Sequence, residues 1–436
     1  MSLSQQVSPV EARRERSAFR RSRSLRATAA TVRADQLNRI EAYSPIAIRV
    51  QTPAGGAPTY AQRRVEQSRD VADRYAHALR REISSLGVAL DGRGRVVAAH
   101  FCNSPLRLSA DAIERGVCEI ENAVGLTDDV VISIEVCPFA HTENEISAMA
   151  RSGRARVFAV VSSDHFQPAA FTGKRTGYHR LEAAFAALRA AGCADISAVL
   201  SAGTEPVDWE QAIWMMEAII ALGPDCVVLT DTPSTVAIAH LVDLSSAADA
   251  QTPQERLAAI SQILLPEAGF RRLGGGTYMK PDSALQSAMI SGCLRRSAHG
   301  FADDAADISI GVGAGASVHF SSAFTRNERR IDRYMERMEQ SFSAVAYAVE
   351  LDDFQQAVAK AASLISCGKR GDLTPAFAAA TPTQATRLQG LLSFYEQQSV
   401  IEIDDRAVVA TTRFRPVADA VADALLAAGG ALMRPR

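Results

Sequence analysis

From about residue 45 the chain alternates short apolar, β-branched runs with longer stretches whose apolar positions recur every three to four residues. The short runs predict strands at 46–50, 96–101, 130–136, 156–161, 196–200 and 226–230. The longer ones predict helices at 63–83, 110–123, 143–151, 178–191 and 209–222, and a further amphipathic stretch at 253–264 follows the last strand. Gly192 and Gly223 stand where two of these helices must stop, since a residue without Cβ takes the left-handed conformation easily. Strands alternating with helical crossovers predict an α/β fold with a parallel sheet. Six units fit a partial (β/α)6 TIM-like barrel, open where an eightfold barrel would close, with small-molecule chemistry at the C-terminal ends of the strands.

After Gly269 the rhythm changes. Gly274, Gly275 and Gly276 precede Thr277, Tyr278, Met279, Lys280 and Pro281, and Gly311, Gly313 and Gly315 follow a strand at 307–310. Neither passage has the G-x-x-x-x-G-K-S/T spacing of a phosphate-binding loop, so close backbone approach is the expected use of these glycines. From 351 onward the pattern gives helices, a polar hairpin at 400–410 and a last helix at 416–426, a winged-helix-like arrangement. The expected organisation is a basic, flexible tail over 1–43, the barrel over 44–268, a barrel-closing extension over 269–350 and the C-terminal domain over 351–436.

Composition narrows the class. Apolar and charged fractions of 47% and 22% are ordinary for a globular protein, and the longest apolar runs fall far short of the ~20 residues of a spanning helix. A cytoplasmic protein with no membrane contact is expected. The net charge of −2 conceals a basic start that includes Arg13, Arg14, Arg16, Arg20, Arg21, Arg23, Arg26, Arg33 and Arg39. No aromatic platform accompanies these arginines, so a solvated tail is expected there and a nucleic-acid partner is not. Seven cysteines, an odd number with no C-x-x-C pair, fit reduced thiols.

Candidate chemistry gathers at predicted strand ends. Cys102 and Cys137 follow adjacent strands, Asp164 and His165 follow the next, and His100 and His141 are close in sequence. Thiolate, imidazole and carboxylate from three strands suit zinc or copper, or a cysteine nucleophile with a histidine base. The plain alternative is buried cysteines and ordinarily hydrogen-bonded histidines, and no closely spaced ligand pair assigns a metal. Tyr278 and Lys280 either face the same mouth or close the open edge, and Trp209 and Trp214 are expected to pack on the barrel wall.

Several passages resemble the oxygen-independent coproporphyrinogen III oxidases of the radical S-adenosylmethionine superfamily. They are Lys280-Pro281-Asp282, the run 307–317, Phe324-Thr325-Arg326-Asn327, the passage 361–373 and the terminal hairpin. In the barrel, Ile132-Ser133-Ile134-Glu135-Val136 matches a family strand that ends beside the cofactor. The resemblance implies a C-x-x-x-C-x-x-C loop after the first strand, whose three thiolates hold a [4Fe–4S] cluster that chelates S-adenosylmethionine. Here the three positions fall near Gly55, Thr59 and Gln62, none of which supplies a thiolate. Where the family has a Gly-Gly-Gly-Thr-Pro turn, this chain has Phe101-Cys102-Asn103-Ser104-Pro105, and Arg49, Ser162 and Val199 stand at other family cofactor contacts. Glu135 is the one S-adenosylmethionine contact that survives, so neither cluster nor cofactor is expected.

Three functions stay open. One is a non-radical pseudoenzyme serving as accessory subunit to an active homologous enzyme in a biosynthetic pathway. The second is an enzyme with new metal- or thiol-based chemistry on a small molecule, built from Cys102, Cys137, Asp164, His165 and Glu135. The third is a tetrapyrrole- or haem-binding protein using His141, His165 or His319.

Overall fold

A computed structural model describes residues 29–51, 69–102, 110–139, 141–152, 156–162, 174–202, 207–230, 252–297, 300–304, 306–341, 343–411 and 418–430. Six parallel strands carry the first half: β1 (Pro45–Gln51), β2 (Arg95–Cys102), β3 (Leu126–Val136), β4 (Arg156–Ser162), β5 (Asp195–Ser201) and β6 (Cys226–Leu229). Helix α1 (Ala29–Leu37) precedes them, and α2 (Arg69–Leu90), α3 (Ala110–Val124), α4 (Glu143–Ser152), α5 (Lys174–Ala190) and α6 (Trp209–Ala221) form the successive crossovers. The helices form because their apolar positions recur at helical spacing, and that stripe buries against the sheet. One face of the strands meets them: Ile46, Ile48 and Val50 of β1 and Ile132, Ile134 and Val136 of β3 are all 3% exposed or less. Trp209 and Trp214 pack against this core, as expected. Helix α6 starts on a capping box in which Asp208 accepts from the Gln211 amide.

Beyond β6 the chain adds α7 (Pro253–Glu267), β7 (Arg271–Gly274), β8 (Thr277–Met279) and α8 (Ala284–Ser291). The hairpin β9 (Arg295–Ser297) and β10 (Gly300–Ala302) follows, then β11 (Ile308–Val312), β12 (Ser317–His319), β13 (Ala323–Asn327), α9 (Ile331–Gln340) and β14 (Val345–Glu350). All but the hairpin strands join one twelve-stranded sheet, in the order β14-β13-β12-β11-β1-β2-β3-β4-β5-β6-β8-β7. β11 runs parallel to β1, Ile48 opposite Ile310, so it extends the parallel set on the side away from β2. The other additions are antiparallel. Among the described residues the two edge strands do not pair, so the sheet stays open as the six-unit pattern predicts.

The glycine passage at 311–315 does what its composition suggests. Gly313 has φ +106°, and a Cβ there would fall 2.0 Å from the Gln51 carbonyl oxygen. The β11–β12 turn therefore presses directly on the end of β1.

Residues 29–37, read from sequence as part of a flexible tail, form a packed helix with Val32, Arg33, Gln36 and Leu37 buried. Arg33 lies 3.4 Å from Glu82 Oε1, donates to Asn327 Oδ1 at 2.9 Å and to the Gly311 carbonyl at 3.3 Å. A run of arginines looks solvent-bound until a buried carboxylate elsewhere in the chain pairs with one of them.

From Asp353 a separate apolar cluster forms around Phe354, Val358, Leu388, Leu392, Val408 and Leu425. It lies among α10 (Asp353–Ser366), α12 (Pro382–Gln397), α13 (Ala418–Ala428) and the small sheet β15 (Gly371–Asp372), β17 (Ala407–Ala410), β16 (Ile401–Asp404); the short α11 (Thr374–Ala379) completes it. Asp405 and Arg406, both at positive φ, make the two-residue turn of the expected hairpin. No helix among the described residues is long and apolar enough to cross a membrane.

Candidate functional site

The face of the parallel strands away from the helices carries polar side chains at alternate positions. Ala47, Arg49 and Gln51 of β1 alternate in this way, as do Ala98, His100 and Cys102 of β2 and Val131, Ser133 and Glu135 of β3. Pairing sets Arg49 beside His100, His100 beside Ser133, Gln51 beside Cys102, and Glu135 beside Phe158 of β4. Period-two alternation therefore brings side chains far apart in sequence to one C-terminal mouth.

His100 is held on three sides. Its Nδ1 is 2.7 Å from the Ser133 hydroxyl oxygen, its Nε2 is 3.5 Å from Glu135 Oε1, and its ring meets Phe158 edge to face at 5.2 Å and 88°. The Ser133 hydroxyl can donate to or accept from Nδ1, so this contact fits either neutral tautomer of the ring. Cys102 hydrogen-bonds to Glu135, and the ligating atoms of His100, Cys102 and Glu135 all lie within 4.8 Å of one another. Burial pushes the Cys102 thiol well above its ordinary range, the Glu135 charge and hydrogen bond add to that, and Arg49 opposes it. Arg49 also acts on His319 of β12, whose proton affinity is lowered first by desolvation and then by the guanidinium. The His319 ring packs on Phe324 at 4.7 Å.

Below this group lies a cavity of about 60 Å³ whose lining includes Arg49, His100, Ser133, Arg156 and Phe158. It has room for several waters. Its floor is ionic. Arg156 donates to both oxygens of Asp303, at 2.6 and 2.7 Å, and to Asp195 at 2.9 Å, while Arg295 pairs with Asp304.

Of the residues expected at the mouth, the structure brings Cys102 and Glu135 together. Cys137 is not a member of the group; its carbonyl oxygen lies 3.1 Å from His141 Nδ1. Asp164 and His165 lie outside the described residues, as do Gly55, Thr59 and Gln62. Sequence spacing assigned no metal site, yet the fold places three ligand types in reach of one ion. His100 and Cys102 stand two apart on β2, a pairing the sequence reading did not use, and their meeting with Glu135 depends on the β2–β3 register. The supporting roles of Ser133 and Phe158 were missed for the same reason. A [4Fe–4S] cluster needs several thiolates, and this group offers one, so the donor set present does not fit a cluster.

No family model matches the chain. It does have relatives in sequence. The oxygen-independent coproporphyrinogen III oxidase of Cereibacter sphaeroides is 24% identical over 275 residues, covering 62% of this chain and 60% of that protein. The enzyme of the same description from Bradyrhizobium diazoefficiens is 26% identical over 354 residues, covering 78% and 77%. In sequence this chain is similar to the oxygen-independent coproporphyrinogen III oxidases. The similarity takes in about 60% of the length of the Cereibacter protein, short of the whole. In structure it resembles the coproporphyrinogen III oxidase of Escherichia coli, described as a radical SAM enzyme, with a TM-score of 0.70 at 18% identity over 90% of this chain and 92% of that one. That likeness establishes the α/β fold with its parallel central sheet.

Proposed function

We propose that this protein binds a carboxylate-bearing small molecule of the tetrapyrrole class at the β1–β3 mouth and works without a radical-generating cluster. Its relatives are described as coproporphyrinogen III oxidases, which supports the ligand class. The carrying observation is the donor set at the mouth: His100, Cys102 and Glu135 contribute a single thiol, and the positions that resemble the cluster loop hold Gly55, Thr59 and Gln62. Arg49 supplies the positive charge that a propionate-like carboxylate needs.

What the chain's own residues do follows from their chemistry. Arg49 binds and orients a carboxylate, the protonated Cys102 thiol donates to the Glu135 carboxylate, and Ser133 fixes the His100 ring. The accessory role beside an active homologous enzyme is part of the same reading, and co-purification of that enzyme with the full chain tests it.

The central experiment has two measurements on one sample. After anaerobic treatment with iron and sulfide, absorbance is expected to show no stoichiometric cluster. Titration with coproporphyrin III is expected to quench its fluorescence saturably, with weaker binding in Arg49→Ala. A full [4Fe–4S] spectrum, or no saturable quenching, would overturn the proposal.

A further inference from the structure

We infer that His100, Cys102 and Glu135 form a binding site for one borderline-soft divalent cation of the zinc class, with a fourth position left for water or an anionic group. The inference deepens the reading of the mouth as the functional site, but it does not depend on the organic ligand.

The ligand set has the right chemistry. Zinc takes thiolate sulfur, imidazole nitrogen and carboxylate oxygen in a tetrahedral shell, and sites that react keep three protein ligands and one open position. The three ligating atoms lie within 4.8 Å of one another, close enough for small side-chain rotations to bring each to bonding distance of a shared ion. They come from two adjacent strands of a buried sheet, so the backbone that carries them is already fixed. Glu135 is 6% exposed, so its carboxylate is held as a buried oxygen donor beside the other two ligands.

The surrounding residues supply what a metal site needs next. The Ser133 hydroxyl, 2.7 Å from His100 Nδ1, can accept from Nδ1–H when Nε2 ligates an ion. Phe158 against the ring fixes its plane. Charge balances as well: thiolate and carboxylate together offset the two charges of the ion, and the proton now on Cys102 leaves to solvent as the ion enters. Arg49, which already acts on Cys102, then stands beside an open coordination position and favours an anion there. A second buried polar cluster, Arg156 with Asp195 and Asp303, offers no such site because the guanidinium already occupies both carboxylates.

The test is a titration of the untagged, metal-stripped full chain with cobalt(II), followed by absorbance. We expect one equivalent to give a near-ultraviolet thiolate-to-cobalt charge-transfer band and visible ligand-field bands of four-coordinate geometry. Zinc should displace the cobalt stoichiometrically. Cys102→Ser is expected to remove the charge-transfer band, and Ser133→Ala, a positioning change, to weaken zinc binding by about 10-fold or more while the band stays. Wild-type protein that gives no cobalt–thiolate band, or a band that survives Cys102→Ser, would overturn the site. Neither readout involves a porphyrin, so failure here leaves the ligand proposal standing, and failure of porphyrin binding leaves the metal site standing.

Discussion

Glu82, 4% exposed, is the most connected buried charge described in the protein. Its Oε1 accepts from Asn327 Nδ2 at 2.7 Å and lies 3.4 Å from Arg33 Nη1; its Oε2 accepts from the Gly313 amide and the Tyr334 hydroxyl, each at 2.8 Å. Removing one partner of a buried ion pair leaves the other charge uncompensated, which costs about 3–5 kcal/mol. Glu82→Ala is therefore expected to lower the denaturant midpoint sharply, and Glu82→Gln, which keeps the side-chain volume and one accepting oxygen, to lower it less. A second residue-level expectation concerns thiols. Burial, with the charge of Asp195 adding, pushes Cys226 up to about 12, whereas an unfolded thiol titrates near ~8.5. The folded state thus holds a proton that the unfolded state loses, so this contribution is full below pH ~8.5 and declines as pH rises above it. Unfolding free energy measured between pH ~7.5 and ~9.5 should fall, and Cys226→Ser should remove up to about 1.4 kcal/mol per pH unit of that slope. An unchanged slope would mean another group dominates. Residue by residue, the sequence is informative where chemistry is local, as for Cys102 at a strand end, whereas Glu135 stands out through the family resemblance. The sequence was silent on Glu82 and misplaced Arg33, because pairing across 49 positions leaves no local pattern.

The strands and helices were legible because each carries its own periodicity, and the six parallel strands fall within a few residues of their expected places. What joins them was less so. The parallel pairing of β11 with β1 links residues more than 250 apart, and no pattern within either strand announces it. The glycines between β11 and β12 did hint at it, since close backbone approach needs a missing Cβ. Gly313 makes that hint testable. A Cβ there would lie 2.0 Å from the Gln51 oxygen and 2.8 Å from the Tyr75 hydroxyl, at φ +106°. Gly92 has φ +75° but nothing within 4 Å of its absent Cβ. Gly92→Ala should cost only the left-handed penalty, about 1–2 kcal/mol. Gly313→Ala should add an overpacking term of about 1–3 kcal/mol and disturb the end of β1 that carries Arg49 and Gln51. Thermal melts of the two variants check this, and equal losses would show that the β11–β12 turn can yield.

At the scale of the whole molecule the described residues hold two large apolar cores. One lies between the sheet and its helices, and the other is enclosed by α10, α12, α13 and the β15–β17–β16 sheet. A smaller cluster, with Cys226, Leu273, Met279, Phe301 and Cys367, bridges the sheet's β6–β8 side to the C-terminal part. We propose that residues 351–436 form a separate unit, and the two cores give it a measurable consequence. Leu388 of α12 is fully buried in the second core. Leu388→Ala removes apolar contacts and leaves a cavity, a change worth about 2–5 kcal/mol. If the unit opens on its own, that loss falls on its local unfolding equilibrium, because cooperative units exchange independently. Native-state hydrogen exchange should then quicken through α10, α12 and α13 while amides in β1 to β6 keep wild-type protection. Should the loss spread evenly to β1 and β2, the bridging cluster couples the two cores into one cooperative unit, and the C-terminal part is an extension of the sheet domain. The first outcome carries a functional corollary: a separately stable unit that leaves the His100 mouth undisturbed is free to take a partner, as the accessory role requires.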